Sequence, residues 1–154
     1  MDQIRIAQLT KEMVAEELRQ LGDPCAKAAA VVRKTLDAAL TGDGGARADA
    51  VIEDAVKGTM TALLLAEQNL SRGALLVLET VHDAALAAHL DPTEAMRAAL
   101  KGLSDLRRFA EPARVEEIRL AIDSRYMGAG EAFGELLREP MPGPTPPPAA
   151  HRPR

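Results

Sequence analysis

The sequence predicts an all-α protein, an antiparallel bundle of about four to six helices, and three observations lead there. Apolar residues recur at three- and four-residue spacing rather than in strand-like alternation. Alanine and leucine dominate, while Phe109, Tyr126 and Phe133 are the only aromatics, a composition that lets helices approach closely. Before residue 139, three acidic residues each stand directly before a proline, at Asp23, Asp91 and Glu111, where the acid can receive first-turn amides and the proline can occupy the first helical position.

The first helix is expected over about residues 4–20, with Ile6, Leu9, Met13 and Leu18 on one face. The second runs over about 24–40, with Ala28, Val31, Val32, Leu36 and Ala39. "TGDGGARAD", 41–49, is an internal turn whose glycines tolerate positive φ. From Ala48 a wide apolar stripe passes through Val51, Ile52, Ala55, Val56, Met60 and Leu63 and continues through Leu70, Ala74, Leu78, Val81 and Ala85. Two architectures satisfy it. A turn at "NLSRG" gives two antiparallel helices, whereas continuity gives one long central helix spanning 48–89, near 60 Å at about 1.5 Å per residue. Gly73 argues for the turn, and the unbroken stripe without proline argues for continuity.

"DPTE", 91–94, opens the next helix with Glu94 placed to complete a reciprocal cap. Met96, Ala99, Leu100, Leu103 and Leu106 line it. Val115, Ile118, Ile122 and Tyr126 or Met127 line the last helix, which Gly128 and Gly130 loosen. "AVIEDAVKGTM" at 50–60 echoes "EAMRAALKGLS" at 94–104 with a period of 44 residues, sharing Ala55/Ala99, Lys57/Lys101 and Gly58/Gly102. A glycine inside a helix costs about 1 kcal/mol relative to alanine, and close backbone approach is one explanation for both glycines.

The expected organisation is a single helical domain over 1–139 and a proline-rich tail over 140–154. Seven of the ten prolines fall in "PMPGPTPPPAAHRPR", which cannot continue a helix and suits disorder or polyproline II. Its Pro144 to Pro147 spacing, followed by Arg152, fits an aromatic groove on a partner but arises readily from composition.

Charge and composition narrow the function. The chain carries −4, and since Arg152 and Arg154 are the only charges after Glu139, the first 139 residues carry −6. Such a body repels nucleic acid. The arginines of 107–125 alternate with Asp105, Glu111, Glu116, Glu117 and Asp123 and read as a salt-bridged surface. Cys25 stands alone and reads as a small helix residue. The opening "MDQIRIAQLTKEM" lacks the apolar core of a signal peptide, which makes the cytoplasm the expected location. Glu67 and Arg72 in the middle of 61–86 argue against a transmembrane segment. No elbow surrounds Ser71, Ser104 or Ser124, and "GDGG" lacks the residues of a nucleotide loop, so no enzyme and no cofactor are expected.

"ETVH" supplies the one metal candidate, Glu79 and His82, on one helix face. The pair resembles half of the Glu-x-x-His arrangement of ferritin-like proteins, and that resemblance implies further carboxylates gathered from elsewhere in a bundle or from a second subunit. The leading expectation is instead a non-catalytic, homo-oligomeric structural or protein-binding module. Leu63–Leu65 and Leu75–Leu78 cover more than one helix face, and a helix apolar over most of its circumference is either central in its bundle or buried against another chain. Leu64, Leu75 and Leu78 are the expected contacts with a second copy. The alanine-rich amphipathic texture also resembles that of bacterial phasins, which implies, as an alternative, a coat on a membrane or storage-granule surface.

Overall fold

The computed structural model describes residues 3–19, 21–40 and 47–140. Most of the expected glycine turn and all but the first residue of the proline-rich tail lie outside them. Among the described residues the fold is entirely helical: α1 (Gln3–Leu18), α2 (Pro24–Ala39), α3 (Ala48–Leu65), α4 (Leu70–Ala87), α5 (Pro92–Ser104), a 3-10 turn (Asp105–Arg108), α6 (Pro112–Arg125) and α7 (Ala129–Arg138). None of these helices is long and apolar enough to cross a membrane.

Two of the three acid-proline starts work as caps. The Asp23 carboxylate accepts from the amides of Cys25 and Ala26 at 3.1 and 3.4 Å, and that of Asp91 from Thr93 at 2.9 Å. The third differs, because Glu111 precedes α6 without a capping hydrogen bond from its side chain. Glu94 also departs from expectation: its carboxylate accepts from Arg97 at 3.0 Å.

Residues 48–89 form two helices, not one. The stripe is interrupted at Ala66–Asn69, four residues before Gly73, and the cause is local. Glu67 adopts a left-handed φ of 58°. Its amide donates to Leu64 O and that of Gln68 to Leu63 O, both at 3.0 Å, so the last carbonyls of α3 are satisfied by a reversed turn of the Schellman kind. Asn69 then caps α4 by accepting from the Arg72 amide at 3.0 Å. The end of α4 repeats the device: His89, at φ 61°, donates to Leu86 O, and Leu90 donates to Ala85 O. Gly73 lies inside α4, where a side chain would collide with Leu63; the glycine serves packing, not turning. The last expected helix is likewise two, divided at left-handed Gly128 (φ 86°) into α6 and α7.

Odd and even helices sort into two layers. α3 packs against α1 on one side and α5 on the other, and α4 is flanked in the same way by α2 and α6. Helices consecutive in the chain, α1 and α2 or α3 and α4, cross between the layers. α7 closes the far end against α5 and α6. This placement gives the 44-residue echo a physical meaning. α3 and α5 begin at 48 and 92, and each pushes its shared glycine onto the backbone of the preceding odd helix. A β-carbon at Gly58 would overlap the Ala7 carbonyl, and one at Gly102 the Glu53 carbonyl. α3 is the most enclosed element, with Val51, Ile52, Ala55, Val56, Met60 and Leu63 at 5 % exposure or less. Its position accounts for the apolar face from Val51 to Leu63, while Leu64 stays half-buried and Leu65 is 69 % exposed.

Candidate binding groove at the α4, α5 and α7 end

An open groove of about 840 Å³ runs between α4, the start of α5, the α6–α7 junction and α7. The stacking order makes it. α5 and α6 do not close on each other as tightly as the earlier pairs, and α7, turned back at Gly128, fills only part of the gap. One wall is the face of α4 bearing Glu79, His82 and Asp83; the opposite wall is α7, with Ala129, Ala132, Glu135 and Leu136, and Glu139 just past its end. Met96 and Leu100 of α5 form the floor, and Tyr126 and Met127 form one end. Met127 is fully exposed, whereas Leu100 is buried.

Local chemistry holds these walls. Arg125 reaches from α6 to α4, with Nη2 at 3.5 Å from Glu79 Oε2, and its guanidinium lies 5.6 Å from the centre of the Tyr126 ring. Burial raises the Tyr126 phenol above its ordinary pKa, with Arg125 working in the opposite sense. The α7 wall is anchored from beneath. Arg107, on the 3-10 turn, donates from Nη1 to the carbonyls of Leu136, Leu137 and Glu139 at 2.9, 2.6 and 2.7 Å, adding a charged donor at the C-terminal end of α7, where helical carbonyls lack amide partners of the next turn. Phe133, wholly buried, fixes the other side of α7 to the core.

The expected metal pair falls in this groove without joining as a pair. Glu79 faces Arg125, and His82 Nδ1 lies 3.6 Å from Asp83 Oδ1. Among the described residues no group of three or more histidine, cysteine, aspartate or glutamate side chains is placed to hold a metal ion. The expected interface leucines separate in depth. Leu78 is fully buried within the chain's own core, while Leu64 and Leu75 are half-buried and pack against it. At 100° per residue Leu75, Glu79, His82 and Leu86 share one stripe of α4, with Leu75 one turn before Glu79. The other exposed apolar side chains, among them Leu9, Leu21, Leu65, Phe109 and Leu120, are distributed over separate elements.

Sequence reasoning missed Met96, Tyr126, Met127, Glu135 and Glu139 as members of one site. Met127 and Glu135 do carry a signal. An unbranched apolar residue beside a helix-breaking glycine, followed by an acid on a helix with a strongly one-sided apolar face, marks an exposed edge. Comparison with protein-family models, with curated proteins and with solved structures gives no match.

Proposed function

We propose that this all-helical protein is a non-catalytic module that works by binding protein, with the groove at the α4, α5 and α7 end as its contact surface, and that it self-associates. The observation that carries the reading is the groove itself: an apolar floor of Met96 and Leu100, with Leu136 on the wall, inside a rim of charged side chains. That layout, apolar centre and polar rim, is the anatomy of a protein contact. Methionines at such a surface supply adaptable packing, and Met96 and Met127 both line this one.

The self-associating part rests on Leu64 and Leu75, which retain exposed surface, with Leu78 assigned to the core that supports them. Sedimentation velocity tests it. The expected result is a species larger than the 16.4 kDa chain that disperses in the Leu75→Asp variant while the helical content is kept. A 16.4 kDa species at every concentration removes self-association from the account.

A further inference from the structure

We propose that the partner of this groove is a cationic amphipathic helix of another protein, a statement that rests on the protein-binding reading above and adds the chemistry of the occupant. The argument begins with charge. Among the groove's basic side chains, Arg97 is drawn to Glu94 and Arg125 is held between Glu79 and the Tyr126 ring. Asp83 Oδ1 lies 3.6 Å from His82 Nδ1, and among the described residues neither Glu135 nor Glu139 forms an ion pair. Three carboxylates therefore stand around an apolar floor with their charge unspent. A cationic partner satisfies them, whereas an acidic one meets repulsion from both walls.

The form of the partner follows from what the groove offers. There is no strand among the described residues, hence no sheet edge for an extended peptide to join. Proline-rich peptides seat in grooves lined by several large aromatic rings, and among the residues that line this one only Tyr126 supplies a phenyl, phenol or indole ring. What remains is helix-in-groove recognition, in which apolar side chains at i, i+3, i+4 and i+7 enter a flexible apolar floor. Met96 and Leu100 provide one, with Leu136 on the wall beside it, and Glu135 on α7 and Glu139 just past its end stand at the edge.

The experiment titrates the full chain with two synthetic peptides of about 18 residues, helical and amphipathic, one of leucine and lysine and one of leucine and glutamate in the same pattern. The leucine-lysine peptide binds, and its acidic counterpart binds at least about tenfold more weakly. An Asp83→Lys/Glu135→Lys variant weakens the basic peptide by about tenfold or more. Glu12→Lys/Glu117→Lys, with the same change of net charge away from the groove, leaves it within about twofold. Should the first variant fail to fold, Glu135→Gln/Glu139→Gln carries the same comparison with a smaller expected loss. Equal weakening by the control variant overturns the proposal, because net charge and not the rim is then responsible. Tighter or equal binding of the acidic peptide overturns the cationic partner and leaves the protein-binding reading standing. No binding of either peptide overturns both.

Discussion

Single residues carry opposite kinds of strain in this fold, and each has a measurable consequence. Asp54 is 7 % exposed, and its Oδ2 is buried without a hydrogen-bond partner beside a cavity lined by Lys11, Lys57 and Thr61. Burial, with a smaller push from Glu53 and an opposing pull from Lys57, raises its carboxyl from 3.8 to about 6. The sign follows from linkage: the folded state holds this proton more tightly than the unfolded chain, so stability falls as pH rises from about 4 to 6 and the penalty is complete above that. Such a difference corresponds to about 3 kcal/mol, and solvent at the cavity mouth screens part of it. Asp54→Asn is therefore expected to stabilise by about 1–2 kcal/mol at pH 8 and by little at pH 4, read from urea melts at the two values.

Glu67 and His89 are strained in another way. Each occupies the left-handed position at a helix end that glycine fills without steric cost. Glu67→Gly should raise stability by about 0.5–1 kcal/mol, the relief of the β-carbon clash less the added freedom of the unfolded chain. An unchanged or lowered melting midpoint would show that the Glu67 side chain contributes more than its backbone costs. Glu67 also explains why the sequence leaves the break between α3 and α4 open. A glycine would have announced it, and at Glu67 the only sequence signal is the cap Asn69 two residues later.

At the scale of elements, helix propensity and packing give contrary expectations for the shared glycines. Propensity alone has Gly58→Ala and Gly102→Ala gain about 1 kcal/mol each. The carbonyls of Ala7 and Glu53 occupy the space a methyl needs, so each change is expected to cost about 2–3 kcal/mol through displacement of α1 or α5 from α3. Thermal or chemical unfolding decides the sign. Arg107 is the corresponding device for α7. Arg107→Ala removes the charged donor shared by three terminal carbonyls and should cost about 1.5–3 kcal/mol locally. Hydrogen exchange is expected to accelerate over 129–138 ahead of the rest of the chain, and uniform acceleration would show that α7 is no separate unit.

For the whole molecule, the helical class and the caps at Asp23 and Asp91 are written in local pattern, and the matching glycines at 58 and 102 pose the question that the close approach to α1 and α3 answers. Periodicity and capping act within a few residues, which is why they can be read directly. The groove is not local. It brings Glu79 of α4 together with Arg125, 46 residues on, and Met96 with Leu136, so only the short-range pair Glu79 and His82 was legible, and that pair suggested a metal where the fold supplies Arg125. Leu78 illustrates the same boundary. Its apolar setting is evident from sequence, but whether it faces a second chain or its own depends on how α2 and α6 cover α4. Its complete burial predicts that Leu78→Ala costs about 2–5 kcal/mol.

The central claim, that the α4, α5 and α7 groove is where this protein meets another, is tested most directly by mapping backbone amide shifts of the full chain during titration with the leucine-lysine peptide. The account predicts saturable shifts concentrated at 79–83, 93–100 and 126–139, with α1 and α2 unmoved. Shifts centred on α1 and α2, or none at saturating peptide, would contradict it.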